Sequence, residues 1–129
     1  AIDLALQDVP VVVLDDNDKV SSGSRAICFA KRTLEILDRL GVAAPLTAKG
    51  VQWQRGRVFF GQDEVYTFDL LAEEGHKQPA FINLQQYYLE AALVARAHQV
   101  GVQIRGRNRV TAVDTVPPGN TPTQPPSRR

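Results

Sequence analysis

The 129-residue sequence predicts an α/β fold. Three observations carry that expectation. "VVVL" (Val11 to Leu14) is a continuous apolar run too short for a helix, and it stops at Asp15 and Asp16. Two longer segments space their apolar residues with the period of a helix. Between them lies a stretch of alternating residues holding five of the nine aromatics.

The elements follow in order. "AIDLALQD" sets Ile2, Ala5 and Leu6 on one helical face, and Pro10 bars its continuation, so it reads as the last turns of a helix. "VVVL" is apolar on both faces, which is how a buried parallel strand reads. Such a strand needs a neighbour, expected upstream of the helix start. Residues 16 to 24 form a polar loop. From Arg25 to Leu40, Ile27, Ala30, Leu34, Leu37 and Leu40 share a helical face, with Ser22 or Ser24 as the cap and Gly41 as the terminator. Residues 51 to 70 alternate about a turn at Gly61-Gln62-Asp63-Glu64 and predict an antiparallel hairpin, expected to belong to a second, substrate-side sheet.

"FINLQQYYLEAALVARAHQVG" is the clearest helix. Asn83 is its expected N-cap, with Gln86 completing a capping box, and Leu89, Ala92, Leu93, Ala97 and Val100 face inward before Gly101. "VQIRGRNRVTAV" alternates and predicts one or two strands. After Val116 the texture turns proline-rich and aperiodic, so 116–129 is expected to be a disordered tail and 1–115 the folded unit.

Composition excludes several function classes. The net charge is +1 with scattered basic residues, which argues against a nucleic-acid partner. No apolar run reaches the ~20 residues of a membrane helix. Cys28 is the sole cysteine, so no internal disulfide forms, and a cytoplasmic location is expected. Cys28 itself reads as a small buried residue on the first long helix. His76 and His98 stand too far apart in sequence to suggest a metal site.

Three places carry candidate chemistry. Asp15, at the tip of the parallel strand, is placed as the acid that accepts hydrogen bonds from ribose hydroxyls in dinucleotide-binding folds. A solvated strand-end acid is the plainer alternative. Arg25 with Ser24 and Ala26 stands where a helix start and a guanidinium would together suit phosphate, though an ordinary surface arginine reads the same way. Gln86 either completes its capping box or offers an amide to a polar ligand.

Taken together, the acid-tipped strand, "SRAI", the helix ending in "LG", the aromatic hairpin and "Gln86-x-x-Leu89-Glu90-x-x-Leu93" resemble a known family. It is the FAD-binding region of the flavoprotein aromatic hydroxylases, the para-hydroxybenzoate hydroxylase-like monooxygenases, nearest the phenol and 3-(3-hydroxyphenyl)propionate hydroxylase branch. The resemblance covers roughly residues 1 to 115. It implies a partial Rossmann-like FAD-binding domain. Asp15 would bind the adenosine ribose, and Ser24, Arg25 and Ala26 would lie along the pyrophosphate and ribityl. Gln86 would reach the ribityl or flavin side, and Val110 would lie near the adenine. The implied reaction uses NADH or NADPH to reduce FAD, and oxygen to hydroxylate a small aromatic substrate. No side-chain nucleophile is required.

The family's "GxGxxG" loop would fall before Ala1, and its later "DG" and "GD" motifs are not in the sequence. The chain is therefore expected to be a fragment, with an altered reading frame near Thr115, unable to hold FAD tightly or to turn over alone, and poorly soluble. A nicotinamide-binding Rossmann fragment and a non-catalytic remnant or interaction module are the alternatives. Trp53, Phe59, Phe60, Tyr66 and Phe68 either line a substrate cavity or simply pack the sheet. Of Tyr87 and Tyr88, one is expected to pack inward.

Overall fold

The computed structural model describes residues 1–20 and 25–115; the expectations for Ser22, Ser24 and the 116–129 tail lie outside these. In chain order the elements are α1 (Ile2–Ala5), β1 (Val12–Leu14), β2 (Cys28–Ala30), α2 (Lys31–Arg39), α3 (Ala43–Lys49), β3 (Val51–Trp53), β4 (Arg55–Phe60), β5 (Asp63–Asp69), β6 (Phe81–Asn83), α4 (Gln86–Gln99) and β7 (Gln103–Arg105). The mixed α/β architecture expected from the sequence is borne out.

The strands form three small sheets. β1 pairs in parallel with β7, Val13 opposite Ile104. β6 lies between β2 and β3, antiparallel to both. β4 and β5 form an antiparallel hairpin with an irregularity between Val58 and Phe59.

Two apolar clusters hold the helices to the β1–β7 pair and the β2–β6–β3 sheet, and neither includes a residue of the β4–β5 hairpin. Leu34 and Leu37 of α2, Leu46 of α3, and Ile82 and Leu84 at β6 form the larger one, with Tyr88, Leu89, Ala92 and Leu93 of α4 packed against it. Ile2, Ala97 and Val102 form the smaller one, with Val11, Val13 and Ile104 beside them. Leu93 touches both clusters, so α4 is the spine of the fold. Gly41 and Gly101 follow α2 and α4 with φ of +79° and +82°, the left-handed termination expected of glycine there. The Arg96 Nε donates to the Leu40 carbonyl at 3.0 Å, satisfying an end group of α2 from α4.

Several sequence expectations are corrected. Arg25 does not open a helix. Cys28–Ala30 are drawn into β2 by pairing with β6, Ala30 is the extended N-cap, and Lys31 N–H donates to the Ala80 carbonyl at 2.8 Å. Ile27 is accordingly off the helix and 54% exposed. Cys28 is exposed on a strand rather than buried on a helix. Asn83 is not an N-cap either. It pairs in β6, its Oδ1 accepts from Trp53 Nε1 at 3.1 Å, and Gln85 takes the cap position without a side-chain bond.

The 51–70 stretch is not one hairpin. Val51–Trp53 leave to pair with β6, where Trp53 stacks on Phe81 at 4.9 Å, and only β4 and β5 form the hairpin. Among the described residues β1 pairs in parallel with β7, downstream; the neighbour expected upstream of the helix start lies outside them. Nor is β1 covered on both faces. Side chains alternate along a strand, so Val13 turns to the core while Val12 and Leu14 point away and are each 48% exposed. Beyond β7 the chain is irregular, so Val110 is not in a strand.

A candidate dinucleotide cleft at the ends of β1 and β7

Because β1 and β7 run parallel, the loops that follow them leave from the same edge, the position where open α/β sheets bind ligands. These two loops are stitched together. Asp15 N–H donates to the Arg105 carbonyl at 3.2 Å, and Asn108 N–H donates to the Asp15 carbonyl at 2.8 Å. The Arg107 guanidinium grips Asp18, its Nε donating to Oδ2 at 2.6 Å. Gly106 lies so close to the first loop that a Cβ there would stand 2.7 Å from the Asn17 carbonyl oxygen and 2.9 Å from Asp18 Cα.

A cleft of about 640 Å³ opens here, with Asp15, Lys19, Arg25, Glu90, His98 and Gly106 among its lining residues. The Asp15 Oδ1 accepts from the Asn17 N–H at 2.8 Å, a local turn that fixes the carboxylate at the strand tip. A fixed carboxylate beside two cationic side chains suits a ligand that offers hydroxyls at one point and anionic oxygens at another.

The structure thus brings Asp15 and Arg25 to one cleft, as their spacing suggested. Ala26 and Gln86, sixty positions apart, meet each other instead: the Ala26 N–H donates to Gln86 Oε1 at 2.9 Å. Gln86 Nε2 in turn donates to Glu90 Oε1 at 2.6 Å. Ala26, Gln86 and Val110 are not among the residues lining the cleft. Val110 is 55% exposed, although Asn108, two residues earlier, is bonded to Asp15. Sequence reasoning missed Lys19, Glu90, His98 and the Asp18–Gly106–Arg107 contact. A glycine directly after the last strand, in "RGRNR", was the available signal for the last of these.

The chain belongs to the FAD binding domain family. That family's model matches residues 1–124. The relationship to flavin-dependent monooxygenases expected from the sequence is also borne out. This FAD binding domain is 27% identical over 111 residues to the rifampicin monooxygenase of Rhodococcus hoagii, covering 86% of the chain and 22% of that protein. It superimposes on the p-nitrophenol 4-monooxygenase of Pseudomonas putida DLL-E4 with a TM-score of 0.78 and 25% identity, over 90% of the chain and 30% of that structure. Aklavinone-11 hydroxylase, solved as a ternary complex with FAD and aklavinone, matches with a TM-score of 0.62 and 25% identity, over 82% of the chain and 22% of that structure. The chain therefore spans less than a third of each relative.

Three side chains whose acidity is shifted, Glu35, Tyr87 and Tyr88, stand apart from the cleft lining. The Tyr88 hydroxyl is held below its usual range by its hydrogen bond with Tyr87 and by Lys49, whose Nζ stands 4.2 Å from the ring centroid. Tyr87 is pushed up by the same hydrogen bond. Tyr88 packs on the larger core, as one of the two tyrosines was expected to. Glu35 is lowered by its bonds to Lys31 and Arg32. Near the hairpin, a second cleft of about 690 Å³ is lined by polar groups such as Asp38, Asp69, Glu73 and His76, and the hairpin aromatics are not on it. Among the described residues no helix is long and apolar enough to cross a membrane, and no group of His, Cys, Asp and Glu could hold a metal ion.

Proposed function

We propose that the cleft holds the adenosine-diphosphate half of FAD, in a cytoplasmic, NAD(P)H-using flavin monooxygenase that hydroxylates a small aromatic substrate. The observation that carries this reading is the meeting of Asp15 and Arg25 at the shared end of two parallel strands. The residues present fit the group. The Asp15 carboxylate is the acceptor for a ribose diol, and Arg25 and Lys19 are the donors for a pyrophosphate. The Asp18–Arg107 clamp and the Gly106 approach hold the two loops at a fixed separation, so the ligand meets a preformed edge. Ser24 would extend the phosphate contacts, and Val110 would contribute a backbone contact near the adenine.

When bound, FAD supplies the redox and oxygen chemistry, and the chain's part is to bind and orient it. The described residues offer the cleft no nucleophile with a base beside it, so this stretch alone is proposed to bind without hydroxylating.

Equilibrium titration of FAD, followed by flavin fluorescence and by competition with ADP, tests the reading. Weak, reversible binding that ADP displaces is expected. The single substitutions D15A and R25A should each weaken it by about tenfold or more, the size of one charge-assisted contact. Displacement by riboflavin but not by ADP would sink the adenosine assignment. Stronger binding of NAD than of FAD would favour the nicotinamide alternative.

A further inference from the structure

We propose that the second cleft, between α2, α3 and the segment joining β5 to β6, is a binding site for a small alkylammonium ligand, with the Gln78 amide as its anchor. Nothing in it rests on the cofactor reading above.

Among the described polar and charged residues Gln78 alone is buried, with 6% of its surface exposed. Its amide makes no hydrogen bond with any described residue. An amide drawn that far out of water without a partner is costly and calls for an explanation. It is not sealed in. Among the described residues no side-chain nitrogen or oxygen is both cut off from water and unpartnered. Gln78 lines the cleft of about 690 Å³, and that cleft is the opening its amide keeps.

The rest of the lining says what the amide would meet. Asp38, Asp69, Glu73 and Glu74 are there, against a single lysine, Lys77. The Lys77 Nζ donates to Asp38 Oδ2 at 2.6 Å, so one carboxylate of the cleft already seats an alkylammonium from within the chain. The other acids are less well served. Arg55 stands 3.9 Å from Asp69, His76 stands 3.8 Å from Glu73, and Glu74 has no partner among the described residues. Gln52 Nε2 donates to the Thr47 carbonyl at 3.3 Å, which leaves the Gln52 oxygen as an acceptor. Ionised carboxylates accept and never donate, so the cleft is rich in acceptors and short of donors, and an ammonium brings three donors with a positive charge. Ala44, Leu71 and Ala72 line the same space and suit its alkyl part. A metal ion suits it less, since no group of His, Cys, Asp and Glu among the described residues could hold one.

The test titrates the diamine putrescine into the full chain, with the uncharged butanediol and Mg2+ as controls. Affinity is read by calorimetry, and the Gln78 side-chain amide by its NMR signals. Saturable uptake of putrescine that shifts those signals is expected, with no uptake of butanediol. Q78L, which keeps the bulk and removes the amide, should weaken putrescine about tenfold or more, the usual loss of a hydrogen bond to a charged group. E74Q, at an exposed position that the fold does not need, should weaken it by up to about fivefold, as for a surface ion pair. D15A should leave putrescine affinity unchanged, and a loss there would place the amine in the other cleft and overturn the proposal. Equal affinity in Q78L, or Gln78 signals that do not move, would mean diffuse attraction to surface acids and also overturns it. So does Mg2+ that competes as an equal, and so does no uptake by about 10 mM, where a millimolar site would be filled. If Q78L does not fold, the wild-type Gln78 signals and the E74Q affinity decide.

Discussion

Two glycines, Gly106 beside the cleft and Gly56 in the hairpin, lie under atoms too close for a side chain, and the contrast between them separates two kinds of construction. At Gly106 the crowding atoms are backbone, the Asn17 carbonyl and Asp18 Cα, brought there from nearly ninety positions upstream. At Gly56 they are the ring of Phe68, 2.1 Å from an added Cβ, on the residue paired directly across the hairpin. The first contact joins distant loops around a ligand cleft. The second covers a weak point within one local unit, as an aromatic often does for a strand glycine. Long-range closeness marks the functional edge, and local closeness marks a self-contained accessory.

Gly106→Ala should have the larger effect. Neither loop backbone can yield without disturbing the bonds from Asn108 to Asp15 and from Arg107 to Asn17 and Asp18. A cost of about 1–3 kcal/mol in thermal or denaturant unfolding is expected, the usual range for overpacking. ADP affinity should fall with it, since Asp15 and Arg25 would no longer keep their separation. Unchanged ADP binding in a destabilised G106A chain would show that the two loops do not act together on the ligand.

The same division decides what could be read from the sequence. Elements with their own period or punctuation were legible: α1, the apolar run of β1, the inward face of α4, and the turn at Gly61. β2 and β6 were not. "CFA" and "FIN" are three residues each and become strands only because each finds the other, a partnership no local pattern announces. The same partnership removed Arg25 from a helix start and Asn83 from a cap. α3 was hidden because Pro45 reads as a breaker, yet it falls in the first turn, where its missing N–H has no partner to lose. At the site, Asp15 was visible because a strand-tip acid has a general meaning. Arg25 was visible for a reason that proved structurally wrong, since no helix starts there. Glu90 was visible only as a letter in a motif, and the geometry supplies its contact with Gln86.

Gly56→Ala sharpens the comparison from the other side. The Phe68 ring is a side chain and can swing away, at about the 0.5–1.5 kcal/mol of a strained rotamer. Hydrogen exchange should rise in β4 and β5 while α4 and β7 keep their protection, and ADP binding should not change. Increased exchange in β7 would mean that the hairpin supports the cleft, and the two regions would have to be treated as one unit.

Phe60→Ser carries the smallest expected effect and is the most exacting test of the hairpin's independence. Phe60 is 82% exposed at the end of β4, beside the turn, and Phe59 and Tyr66 are 54% and 61% exposed. Little apolar area leaves water when Phe60 folds, so replacing it should shift stability by no more than about 0.5 kcal/mol. What should change is behaviour at high concentration. Exposed rings on a two-stranded unit invite self-association, and removing the most exposed of them should lower light scattering. If F60S instead costs several times that energy, the ring is buried in the folded state in solution. The hairpin would then be packed against something, and its apparent autonomy would belong to the isolated chain alone.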